Sequence, residues 1–173
     1  KVLNIPLDQA EILVTEKAEI SKELYVGITV DGYSGKPVIV ASTEGGVHIE
    51  ESARGAPEKI TSIHVDPSIG FYPYQARTLL RKLGLGQRLL IAWADVIGQL
   101  YQVFSRFEAL IVEINPLVVL PNGGLLAVDA VLELDHSALS RVKHPLPDRM
   151  ERIENPLERK GREIGITYVD LDG

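Results

Sequence analysis

The stretch ALIVEINPLVVLPNGGLLAVDAVLELD, residues 109–135, decides how this chain is read. Its two arms, 109–120 and 125–135, are dominated by Ile, Leu and Val. Between them Pro121-Asn122-Gly123-Gly124 is a strong turn signal, so the stretch reads as two antiparallel strands. Three polar residues interrupt the apolar arms: Glu113, Asn115 and Asp129. Strand alternation puts Ile111, Glu113 and Asn115 on one face and Val112 with Ile114 on the other. Asp129 lies on the return arm, and directly opposed residues of an antiparallel pair share a face. A loop with an odd number of residues, or a bulge, lets Asn115 and Asp129 converge. A two-residue Asn122-Gly123 turn puts them on opposite faces. Pro116 favours an irregularity in the ladder. A converging carboxylate and amide oxygen are hard ligands that suit Mg²⁺, with waters and phosphates completing the shell. Glu113 would stand beside that position. The same polar residues also describe a strand face turned to solvent, and pattern alone leaves both readings open.

Working outward, ELYVGITVDGYSGKPVIVAS (residues 23–42) is a second hairpin. Leu24, Val26, Ile28 and Val30 point one way, and Tyr25, Thr29 and Asp31 the other. The glycines of DGYSG supply its turn. AEILVTE (residues 10–16) is expected to be a short strand before it. STEGGVHIEE breaks the strand pattern at Gly45-Gly46, where paired glycines allow either a close backbone approach to a ligand or a plain turn. ITSIHVDP is a further strand, closed by Pro67. The period then changes. PYQARTLLRKLGL places Ala76, Leu79, Leu80 and Leu83 at helical spacing, with Pro73 in the first turn and Gly84 at the end. In GQRLLIAWADVIGQLYQVFSRFE, the residues Leu89, Leu90, Trp93, Val96, Ile97, Leu100, Phe104 and Phe107 form one apolar stripe, read as core packing. Beyond Asp135 the chain is charged and broken by prolines, a connecting segment with one short helix. ITYVDLDG opens another strand. The chain starts on Lys1 and stops at that strand, so residues are expected to be missing at both ends. Strands, two helices and a strand hairpin predict an α+β fold: a mostly antiparallel sheet with helices packed on one face.

The 173 residues suffice for one domain with its own core, and 45% apolar with 24% charged residues is an ordinary globular composition. A net charge of −6 without a Lys/Arg cluster argues against nucleic-acid binding. The absence of cysteine removes disulfides and thiolate metal sites. No apolar run is long enough for a membrane span. Neither G-x-G-x-x-G nor the P-loop pattern occurs. His48, His64, His136 and His144 have no ligand spacing and read as surface or packing residues.

KELYVGITVD, ASTEGGVHIEE, the pattern Y-Q-A-R-x-x-L-x-x-L-G-L (Tyr74 to Leu85), EINPL and YVDLDG occur, in this order, in the β subunit of succinyl-CoA synthetase (succinate–CoA ligase, ADP- or GDP-forming). The chain resembles that family from about Ile12 to Gly173. The resemblance implies an ATP-grasp subdomain: residues 1–140 as the second, C-terminal lobe of the ATP-grasp domain, and 141–173 as a charged linker with the truncated start of a CoA-ligase domain. It implies Mg²⁺ held by Asn115 and Asp129, and Glu113 as the catalytic glutamate that meets the active-site histidine loop of the partner. Glu23 corresponds to a nucleotide-binding glutamate, and Thr15 and Ala18 to the nucleotide hinge. The nucleotide is ATP or GTP, and CoA binds elsewhere in the complex. The implied partner is the α subunit carrying the phosphohistidine, in the cytoplasm of a bacterium or archaeon or in the mitochondrial matrix. Two residues depart from the family pattern: Thr15 stands where Glu is usual, and Val131 where Lys is frequent. A malate–CoA ligase shares this architecture. A non-catalytic partner-binding module derived from the lobe is the alternative from another class.

Overall fold

The computed structural model describes residues 14, 16–46, 57–143, 156–166 and 168 of the chain. They belong to two compact units, Lys1–Val142 and Lys143–Gly173. Most of the expected first strand, residues 10–16, lies outside the described residues, as does most of the final ITYVDLDG.

The first unit is built on strands β1 (Lys22–Val30), β2 (Pro37–Ser42), β3 (Ile60–His64), β4 (Ala109–Val119), β5 (Leu125–Ala127) and β6 (Ala130–Leu134). The sheet order is β3-β2-β1-β4-β5, with β6 also on β4, and every pairing is antiparallel. The DGYSG turn joins β1 to β2. Asp31 accepts the backbone N–H groups of Tyr33 and Ser34 and the Ser34 hydroxyl, and Gly35 takes φ 65°, a conformation glycine adopts without a Cβ penalty.

Two helices cover one face. Helix α1 (Pro73–Arg81) starts at a proline whose missing N–H costs nothing there. The Gln75 side chain turns back to accept the Tyr72 N–H at 2.7 Å. After the helix, Gly84 takes φ 64°. Helix α2 (Gln87–Arg106) buries Leu90, Trp93, Ala94, Ile97, Leu100 and Phe104, while Leu89, Val96 and Phe107 of the predicted stripe are half-buried at its margin. The buried residues pack with Ala76, Leu79 and Leu80 of α1 onto Leu24, Val26, Ile28, Ile39, Ala41, Val112, Ile114 and Leu117 of the sheet. Each buried Leu, Ile, Val or Phe side chain among them contributes about 1.5–3 kcal/mol. The second strand arm needs a correction. The return strand, expected to be continuous, is split at Val128-Asp129 into β5 and β6.

In the second unit, helix α3 (Pro156–Glu163) is the one short helix anticipated there. Gly165 at φ 77° turns the chain back, so that the Ile166 N–H meets the Gly161 carbonyl at 2.9 Å.

Candidate functional site on the open face of the sheet

The face of the sheet away from α1 and α2 carries the polar residues of the opening stretch. Its geometry depends on one bulge. Between the pairs Leu24↔Leu117 and Val26↔Ile114, β1 has a single residue, Tyr25, whereas β4 has two, Asn115 and Pro116. The Asn115–Pro116 peptide is cis. The bulge brings Leu117 into the core three residues after Ile114, not two, and leaves Asn115 on the open face.

On its other side β4 keeps one register from Ile111 to Val119. The pairs Leu117↔Ala127 and Ile114↔Ala130 bracket Asn115 and Asp129. The Asn115 N–H donates to the Asp129 carbonyl at 3.2 Å. The two residues are therefore directly opposed and share a face. At the tip the Leu120 N–H meets the Gly124 carbonyl at 2.9 Å, so the loop is Pro121-Asn122-Gly123, an odd number of residues. Glu113 faces Val131 across the ladder, and Ile111 faces Glu133. Where the family pattern often has Lys, the neighbour of Glu113 is thus an exposed valine.

The glycine loop after β2 lies over the same end of the face. The Gly46 N–H donates to Asn115 Oδ1 at 2.6 Å, and Asn115 Nδ2 donates to the Gly46 carbonyl at 3.3 Å. Gly46 has φ 84°, and a Cβ there would sit 2.6 Å from Glu23 Oε2. At Gly45 a Cβ would be 2.4 Å from the Leu24 carbonyl oxygen. No other residue lets the loop pass this close to the β1 backbone. Ser42, fully buried, accepts the Glu44 N–H, and Lys59 pairs with Glu44. The paired glycines therefore serve a close approach of the loop to the protein's own β1, a role the sequence did not suggest.

The structure brings Glu23, Glu113, Asn115 and Asp129 to this face. Asp129 is exposed, and its Oδ1 accepts the Ala130 N–H at 2.8 Å. Ala18 is half-buried and outside regular structure. Thr15 lies outside the described residues. Among the described residues no cluster of three or more His, Cys, Asp or Glu could cage a metal. One carboxylate and one amide oxygen fit the sparse protein contribution that Mg²⁺ takes when phosphates and water supply the rest. They do not fit a closed zinc site. His64 bonds Asp31 at the far end of β1, on the surface as read. His48 and His144 lie outside the described residues.

Sequence reading did not single out Tyr25 and Gly27. The Tyr25 hydroxyl donates to Glu113 Oε2 at 3.1 Å. Burial, and then the charge and hydrogen bond of Glu113, push the phenol well above the usual tyrosine range. The available signal was a glycine in a strand interior, which marks a close approach.

Residues 8–119 match the ATP-grasp family, described as an ATP-grasp domain. The match covers more than half of the chain, which therefore belongs to this family. The chain is 40% identical over 165 residues to the "Succinate--CoA ligase [ADP-forming] subunit beta" of Halorubrum lacusprofundi, covering 94% of this chain and 43% of the relative. It is 45% identical over 166 residues to the protein of that name from Salinibacter ruber, covering 94% and 42%. The chain thus spans about two fifths of the length of these curated relatives. Among solved structures it resembles ATP citrate lyase from Methanothrix soehngenii, determined with citrate and coenzyme A. There the TM-score is 0.60 and the identity 24%, over 85% of this chain and 33% of that one. The apo dinucleotide-forming acetyl-coenzyme A synthetase 1 of Ca. Korarchaeum cryptofilum matches with TM-score 0.52 and 21% identity, over 69% and 57%. At these identities the likeness establishes the fold. No helix among the described residues is long and apolar enough to cross a membrane.

Proposed function

We propose that this chain is the C-terminal ATP-grasp lobe, residues 1–140, of the β subunit of a nucleotide-dependent succinate–CoA ligase, with 141–173 leading into a CoA-ligase domain. The reaction is succinate + CoA + NTP to succinyl-CoA + NDP + phosphate. The observation that carries this reading is the direct opposition of Asn115 and Asp129 on an open sheet face, in a chain 40% and 45% identical to two succinate–CoA ligase β subunits over 94% of its length. Asn115 and Asp129 would hold Mg²⁺, which supplies charge neutralisation to the phosphates of the bound nucleotide. Glu23 and the Gly46 backbone border that position and orient the nucleotide's polar groups. Glu113 meets the phosphohistidine loop of the α subunit, and Thr15 and Ala18 contribute to the nucleotide hinge. The relatives' names specify the ADP-forming reaction, which favours ATP over GTP. Their sources are archaeal and bacterial, which favours the cytoplasm. Phosphoryl transfer asks a protein for positioning and charge neutralisation above all; these side chains would supply the first, and Mg²⁺ held by Asn115 and Asp129 the second.

The test is Asp129→Asn in the complete ligase, the full-length β chain assembled with its α partner. Turnover is expected to fall, with the loss partly restored by raised Mg²⁺. Wild-type turnover in that variant would overturn the metal assignment. One observation favours the non-catalytic module instead: Val131, not a cation, faces Glu113. A complete complex without succinyl-CoA synthesis that still binds the α partner would establish that alternative.

A further inference from the structure

On the open face, Gly27 of β1 pairs with Glu113 of β4. Tyr25 is two residues back on the same strand and face. A side chain at position 27 would separate the two: a Cβ there would lie 2.3 Å from the Tyr25 hydroxyl oxygen and 2.9 Å from Cζ. Because position 27 is glycine, the phenol lies down across the strand, and its hydroxyl reaches Glu113 Oε2. Among the described residues this hydroxyl is the hydrogen-bond partner of Glu113. The ladder neighbour on the other side, Val131, has no polar atom to offer. A tyrosine phenol is protonated at physiological pH and so can donate. An unheld glutamate on a strand samples several rotamers, and fixing one costs side-chain entropy at the moment of use. A hydrogen bond made in advance removes that cost and sets the direction of the second oxygen.

We propose that Tyr25 is the positioning residue of Glu113: lying over Gly27, its hydroxyl holds one carboxylate oxygen so that the other is presented to a nitrogen donor of imidazole type on the partner subunit. This inference rests on the proposed function, in which Glu113 meets the partner's histidine loop. Tyr25 itself touches no reacting atom.

The experiment is a double-mutant cycle in the complete ligase, with Tyr25→Phe, Glu113→Gln and the double variant, and Asp129→Asn as a control for the reading itself. Tyr25→Phe keeps the ring over Gly27 and removes only the hydroxyl. The expected result is a kcat lowered about 10–150-fold at unchanged nucleotide KM, the size of one lost hydrogen bond to a charged group. The double variant should be no slower than Glu113→Gln alone, because Tyr25 acts through Glu113. Losses that multiply in the double variant, or an unchanged kcat in Tyr25→Phe beside a crippled Glu113→Gln, would overturn the positioning role and leave the ligase reading intact. If Asp129→Asn and Glu113→Gln both leave turnover unchanged, the assignment of this face as the reaction site fails and the inference falls with it. The pairing has its own readout in the chain labelled with 3-fluorotyrosine. Glu113→Gln should move the Tyr25 fluorine resonance, and an unmoved resonance would contradict the contact.

Discussion

The two faces of this sheet are made by the same strands and follow opposite rules. The helix-covered face is apolar throughout: Leu24, Val26, Ile28, Ile39, Val112 and Leu117 lie in one cluster with Trp93 and Ile97. Its energy comes from area and volume, so similar shapes substitute for one another at modest cost. The open face depends on single bonds between residues far apart in the chain: Tyr25 to Glu113, and Asn115 to Gly46. These contribute little stability, but they fix where polar atoms stand. Strand alternation thus lets one element serve stability on one side and geometry on the other.

The contrast is broken most severely from the covered side. Ile97→Ala, at a fully buried position of α2, is expected to cost about 2–5 kcal/mol in urea unfolding. Asp129→Asn should leave the unfolding midpoint within about 0.5 kcal/mol of wild type. In the complete enzyme the same change should reduce turnover by at least the roughly 10–100-fold that second-shell metal partners are worth. A large stability loss from Asp129→Asn would erase the distinction between the faces.

Gly45→Ala should have an intermediate effect. The added methyl meets the Leu24 backbone, which cannot swing aside, and overpacking of this kind costs about 1–3 kcal/mol. Amide exchange should show the loss concentrated at Thr43–Gly46 and Asn115. Gly27→Ala should be milder, about 1 kcal/mol. There the new methyl meets the end of the Tyr25 side chain, which can rotate away at the expense of its bond to Glu113.

The smallest effects are those of pH. The Tyr25 phenol has a folded-state pKa above its unfolded value, so its contribution is complete below the ordinary tyrosine range, near pH 10, and fades as the pH rises beyond it. Glu113→Gln should lessen that alkaline loss of stability, leaving the larger part that comes from burial. Asp31 behaves in the opposite sense. The Ser34 hydroxyl and the Tyr33 N–H hold its carboxyl at about 2. Its contribution is present above the ordinary aspartate range and disappears as the pH falls toward 2. Ser34→Ala should shift that acid limb upward.

The covered face was legible in the sequence because it repeats: the period of two in β1 and β4 and the helical stripe of α2 each state their buried side many times over. The open face was legible only in part. Glu113, Asn115 and Asp129 stood out as polar residues in apolar arms. Whether Asn115 and Asp129 converge depended on the register, and alternation alone allowed both answers. The break at Val128-Asp129 was hidden because both flanking segments look like strand. The Tyr25–Glu113 bond spans 88 residues of chain, and no local pattern encodes such a pairing. Gly27 was its single trace, a residue with no reason to occupy a strand centre except the ring lying over it.

The central claim is that Asn115 and Asp129 together form a divalent-cation position. The most direct measurement is a titration of the ¹⁵N-labelled chain with Mn²⁺, whose unpaired electrons broaden nearby resonances. The account predicts that the Asn115 side-chain amide and the Gly46 and Ala130 backbone amides broaden first, and that Asp129→Asn abolishes this while leaving the spectrum otherwise folded. Broadening that begins elsewhere, or that persists unchanged in Asp129→Asn, would contradict it.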